Sequence, residues 1–138
     1  MTKNQAVPQF KDAQLQQSVA LPNAANTVNT TSIDLGVATS FPVTDKCKVR
    51  ISTTAGTGAN NKNVTISLQA SNEAAANFTN VSNVKTIVIP EVSTAYAATE
   101  RTFALPPDLN KRYIRASAVG EANGGNAADG TLTIELVF

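Results

Sequence analysis

The sequence predicts an all-β domain, an antiparallel jelly-roll-like β-sandwich with an extended N-terminal arm. Three observations carry this. Apolar and polar residues alternate in short runs from Ser32 onward, as a sheet with one buried face demands. The connectors are rich in Gly, Asn, Asp and Pro, the residues that set turns. No segment keeps a long 3.6-residue period. The chain divides at this change of pattern, into an arm over residues 1–30 and a sandwich over 31–138.

The arm is read first. In "MTKNQAVPQFKDAQLQQSVALPNAANTVNT" the apolar residues are scattered among Gln, Asn and Pro. The segment is expected to be extended, with a short helical turn near Asp12 to Val19. Such a segment is either a loose terminus or an arm that orders by lying on a neighbour; for the second reading Val7, Phe10, Leu15 and Leu21 are the candidate anchors.

The strands follow in order. In "SIDLGVA", Ile33, Leu35 and Val37 share a face. In "KCKVRIST", Cys47, Val49 and Ile51 point one way, and Lys46, Lys48, Arg50 and Ser52 the other. In "NVTISLQAS", Val64, Ile66, Leu68 and Ala70 oppose Thr65, Ser67, Gln69 and Ser71. In "TLTIELVF", Leu132, Ile134, Leu136 and Phe138 face inward, and Thr131, Thr133 and Glu135 outward. Shorter runs lie around Ile87 to Ile89, Phe103, and Ile114 to Val119. The turn-rich stretches "AGTGANNKN", "LPPDLNK" and "GEANGGNAADG" separate them. Short strands divided by turn signals are the pattern of a sandwich or jelly roll.

Composition narrows the chemistry. The chain has 138 residues, 42% hydrophobic, enough for one domain with a core of Val, Ile, Leu and Ala. A net charge of +1 is too balanced for a generic nucleic-acid binder. One cysteine excludes an internal disulfide, and the absence of His excludes a histidine base, an imidazole ligand and a Ser-His triad. The first ten residues lack the apolar core of a signal peptide, and no apolar run is long enough to span a bilayer.

The stretch "KCKVRIS" holds the lone Cys47 and the densest positive charge. Alternation places Cys47 on the apolar face, away from the lysines, so it is read as a core residue and not a nucleophile. Lys46, Lys48 and Arg50 then form a basic row on the outer face. That row is either a solvated face or a docking patch for an acidic protein surface. No aromatic series interleaves with the basic residues, so nucleic acid is not an expected partner. The ten carboxylates are scattered. A glycosidase pair would assemble in space, and nothing in the sequence marks one. "NAADG" supplies a single acid, too little for calcium. No catalytic, cofactor or metal residue is expected.

The C-terminal third, "LPPDLNKRYIRASAVGEANGGNAADGTLTIELVF", resembles the small capsid decoration, or cement, proteins of tailed bacteriophages. The matching elements are the "LP" turn at Leu105 and Pro106, the "RYIR" strand from Arg112 to Arg115, the Gly-rich loop and the final strand. "ISLQASNE" with its Phe-containing return, and "SIDLG" from Ser32 to Gly36, extend the likeness to residues 32–138. The resemblance implies a jelly roll on the outer surface of the virion. It would be an oligomer, dimer or trimer, that clamps adjacent major capsid proteins. It implies no enzyme activity, no cofactor, and no direct contact with nucleic acid or membrane. The alternative is a carbohydrate-binding or host-attachment module of a viral fibre. That reading suffers from the lack of Trp and the scarcity of Tyr, since aromatic rings usually stack on sugars. A glycan-active enzyme is a third class, for which no acid pair stands out.

Overall fold

The computed structural model describes residues 15–22, 26–36, 48–56, 63–82, 84–89, 97–106, 109–121 and 130–137. Among them are ten strands and no α-helix: β1 (Gln16–Ala20), β2 (Thr27–Asn29), β3 (Ile33–Asp34), β4 (Lys48–Thr53), β5 (Val64–Ser71), β6 (Thr79–Asn80), β7 (Ile87–Ile89), β8 (Thr99–Phe103), β9 (Tyr113–Gly120) and β10 (Thr131–Val137). They form two antiparallel sheets. The first runs β1-β10-β4-β8 and the second β2-β9-β5-β6. β3 also pairs with β9, following β2 along the edge that β5 leaves free, and β7 likewise shares the far edge of β5 with β6.

Alternation builds the core between the sheets. Val49 and Ile51 of β4 and Leu132, Ile134 and Leu136 of β10 come from one side. Val64, Ile66, Leu68 and Ala70 of β5 and Ile114, Ala116 and Ala118 of β9 come from the other. Ile33, Ile87, Ile89 and Leu105 complete a single cluster. Each aliphatic side chain of this size contributes about 1.5–3 kcal/mol on full burial. The all-β antiparallel sandwich expected from the alternation is therefore present. "SIDLGVA" yields only a two-residue strand. At Gly36 the backbone turns with φ +85°, a conformation that suits glycine, and its N–H donates to Asp34 Oδ1 at 2.7 Å.

Two sequence-based expectations give way. The stretch read as an arm contributes β1 and β2 to the sheets, so Gln16–Ala20 and Thr27–Asn29 belong to the sandwich. Gln16–Ala20 is a strand where a helical turn was expected. The reason is register. Gln17, Val19 and Leu21 alternate toward the interior, with Gln17 opposite Ile134 and Val19 opposite Leu132. Gln17 interrupts the apolar series and hides its period. Leu21 is only 3% exposed within the chain's own core, and Leu15 and Val19 pack against it. Secondly, Glu135 lies on the outer face as expected, yet it is buried, for a reason that bears on the basic row.

Candidate protein-interaction face

The outer face of the first sheet was expected to carry the basic row. Lys46 and Cys47 lie outside the described residues. Lys48 is exposed. Arg50 stands directly opposite Glu135 in the β4–β10 register, and its Nε and Nη2 both reach Glu135 Oε1. The Arg50 side chain is 24% exposed and that of Glu135 6%. The guanidinium thus roofs the carboxylate and removes it from water. Arg50 is committed within the fold and is not a free docking charge. Leu15 and Leu21 are likewise used in the chain's own interior. Val7 and Phe10 fall outside the described residues. Of the expected contact residues, the structure leaves Lys48 open to a partner.

The second sheet presents a different surface. On its outer face, the cross-strand pairings align Thr27, Val119, Thr65 and Val88 in one row. Val119 is 46% exposed and Val88 51%, the large apolar side chains most open to solvent among the described residues. Further along, Arg115, Gln69 and Asn80 form another row. Arg115 Nε donates to Gln69 Oε1 at 2.9 Å, and Gln69 Nε2 donates to Asn80 Oδ1 at 3.0 Å. The Arg115 guanidinium also covers the Phe78 ring, 4.1 Å from its centroid, a cation–π contact. Partial burial lowers its pKa from the ordinary arginine value. Among the described residues no carboxylate pairs with it.

Arg115 borders a cleft of about 290 Å³ lined by residues 29–32, Ala74 and Ala75. One wall is the join between β2 and β3. From Asn29 to Ile33 the chain advances by four residues, while β9 advances by three, from Ser117 to Ile114. The extra residue makes a bulge. Thr30 holds it: its backbone N–H donates to Ala116 O at 3.0 Å, and its hydroxyl accepts from the Ala116 N–H at 3.0 Å. The other wall is the loop after β5. Ser71 Oγ donates to Ala76 O at 2.6 Å and accepts from the Glu73 N–H at 3.0 Å. Asn77 sits at φ +57°, a value asparagine tolerates. Ser32 Oγ donates to Ala74 O at 2.7 Å, tying the walls together. The small side chains of Ala74 and Ala75 leave the space between them open.

The two arginines of "RYIR" have separate fates. Arg112 forms a forked pair with Asp34, at 2.8 Å through Nε and 2.9 Å through Nη2, and lies over Tyr113. These bonds hold the Asp34 carboxyl below its usual range, with the Arg112 hydrogen bond the largest cause and the Gly36 N–H the next. Asp34 and Arg112 are 78 residues apart in sequence, so no local motif marks the pair. Sequence reasoning passed over Arg115 for the same cause: its neighbours Gln69, Phe78 and Asn80 come from other strands and loops.

Other chemistry finds little footing among the described residues. No three Cys, Asp or Glu side chains gather as a metal set. Glu135 is engaged by Arg50, Asp34 by Arg112 and Glu73 by Asn77, and Glu121 accepts from the Asn63 N–H. No helix there is long and apolar enough to cross a membrane. No protein-family model matches the chain, and no curated protein matches it in sequence.

Proposed function

We propose that this chain is a capsid decoration protein of a tailed bacteriophage, a structural component without enzyme activity that binds the outside of the head and stabilises contacts between major capsid proteins. The observation that carries the reading is the outer face of the second sheet. There Val88 and Val119 are exposed on one row, and Arg115, on the same strand as Val119, has no carboxylate partner among the described residues. Exposed apolar side chains beside an available arginine are the composition of protein-binding surfaces.

Strand order supports it. With β2 and β3 counted as one strand, and β6 and β7 as another, eight strands remain. Their orders are first-eighth-third-sixth and second-seventh-fourth-fifth. First pairs with eighth, second with seventh, third with sixth and fourth with fifth, as in one long hairpin rolled up. A double-sheet jelly roll of that kind is an architecture of viral shell proteins and also of lectins. The aromatic rings favour the former. Of the three described, Phe78 lies under Arg115, Tyr113 under Arg112, and Phe103 packs on the core, which leaves poor platforms for sugar.

The test is co-sedimentation with emptied heads and with shells assembled from the major capsid protein alone. The full chain should pellet with both, and Val88→Asp and Val119→Asp together should release it. Failure to pellet with either, alongside specific signals on a glycan array, would replace this reading with the carbohydrate-binding one.

A further inference from the structure

The Arg115 cleft is built as a receptor for a single negative charge, and we infer that its ligand is the carboxylate of an aspartate or glutamate side chain on a partner protein. The partner's identity as a capsid protein rests on the preceding proposal; the carboxylate site does not.

Three features converge. The guanidinium is fixed before any ligand arrives. Gln69 holds Nε, Asn80 holds Gln69, and Phe78 supports the ring-facing side. Its two Nη groups find no acceptor among the described residues, and they are the edge that a carboxylate grips in a fork. An arginine already ordered loses less freedom on binding. Secondly, the cleft beside it is walled by residues 29–32 and by Ala74 and Ala75, none of them charged. None of these described lining residues brings a charge that competes for the guanidinium or repels an anion. Thirdly, the charge count suits a monoanion. The nearby Arg112 is neutralised by Asp34, and the Glu73 carboxylate in the wall loop is held by the Asn77 amide, so among the described residues Arg115 is the one cation at the cleft without a carboxylate partner, too little for a phosphate dianion. The partly buried guanidinium is also short of hydration, as its lowered pKa reflects, and a carboxylate would restore the lost interactions.

A protein carboxylate is favoured over an acidic sugar by the setting. The exposed Val119 stands four residues from Arg115 on the same face of β9, about 13 Å along the strand, so a protein surface that seats an acidic residue in the cleft would also reach an apolar contact. Among the described residues no bare aromatic face stands beside the cleft for a sugar ring.

The experiment follows the Arg115 Nε–Hε resonance of the full-length ¹⁵N-labelled chain. The probes are acetyl-Gly-Asp-Gly-amide, its Asn counterpart and N-acetylneuraminate. The Asp peptide should shift the resonance saturably and the Asn peptide should not. Two variants extend it, followed through the Ser32 and Ala74 amides. Arg115→Gln removes the charge. Ala75→Glu places a competing carboxylate in the cleft and leaves the packing of Arg115 untouched. Each should weaken the Asp peptide by about tenfold or more, the effect of losing a charge-assisted hydrogen bond. Equal shifts with Asp and Asn peptides, no saturable shift, or full affinity in both variants would overturn the assignment. A response to N-acetylneuraminate without one to the Asp peptide would overturn it in favour of an acidic glycan. The same two variants are then assayed with capsid shells. Unchanged shell binding would refute the capsid carboxylate as the ligand. A wild-type chain that ignores shells but binds the Asp peptide would refute the decoration reading and leave the carboxylate site standing.

Discussion

Arg50 and Glu135 show what a charge on a sheet face can be made to do. Glu135 is almost wholly removed from water and depends on Arg50 for compensation. Arg50→Met should therefore cost about 1–3 kcal/mol, below the 3–5 of a fully buried pair because Arg50 keeps partial contact with solvent. Replacing both, as Arg50→Met with Glu135→Leu, should cost less than the single change, since no buried charge is then left alone. Urea unfolding of the four proteins of that cycle checks it. Asp34 and Arg112 make the opposite case, an exposed pair with a small contribution. The folded-state pKa of Asp34 is depressed. Its stabilisation is thus complete above the unfolded carboxyl value of 3.8 and is lost as pH falls through the lower folded value. The stability gap between wild type and Asp34→Asn should be present at neutral pH, close in acid below about pH 4, and shrink with added salt.

At the scale of the element, β10 lies in the first sheet between β1 and β4, with one face turned to the core between the sheets and the other outward. Ile134 is fully buried, and Ile134→Ala should cost about 2–5 kcal/mol through the cavity it leaves. Its neighbour Thr133 points outward and shares a 2.8 Å hydrogen bond with Ser18 on β1. Thr133→Ala should cost no more than about 1 kcal/mol. Equal losses for the two variants in thermal or denaturant unfolding would mean that the strand has no buried face. β1 holds its place partly through a residue outside its own bounds, Leu21, whose backbone N–H donates to Gly130 O at 3.0 Å while its side chain enters the core. Leu21→Ala should cost about 2–5 kcal/mol, as a core residue does. A loose arm would show almost no effect.

At the scale of the whole molecule, the first and last described strands pair with each other, and β2 pairs with β9. The fold is closed by contacts between residues more than a hundred positions apart, such as Ser18 and Thr133. Deleting residues 2–28 would strip Leu21 from the core and bare the edges of β10 and β9. The truncated chain should lose its cooperative melt and self-associate through the open edges, measurable by circular dichroism and light scattering. A chain so truncated that still melts like wild type would restore the arm reading for residues 16–28.

The alternation of "KCKVRIST", "NVTISLQAS" and "TLTIELVF" by itself determined that the chain is all-β and which residues of β4, β5 and β10 face the core, whereas "RYIRASAV" was legible as a strand only, because Val119 puts an apolar residue on its outer face. That information is local: a strand with one buried face writes its period of two into consecutive residues. β1, β2 and β6 were beyond such reading because in β1 the polar Gln17 stands at an inward position, while β2 (TVN) and β6 (TN) hold one apolar residue between them. Short edge strands are held by pairing with a neighbour, and the neighbour's sequence carries the specification. The charges divide in the same way. Sequence placed Arg50 on an outward face and assigned no face to Arg112 or Arg115. Only the tertiary structure decided that Arg50 is spent on Glu135, Arg112 on Asp34, and Arg115 on no acid among the described residues, because each outcome depends on which distant side chain the register brings opposite.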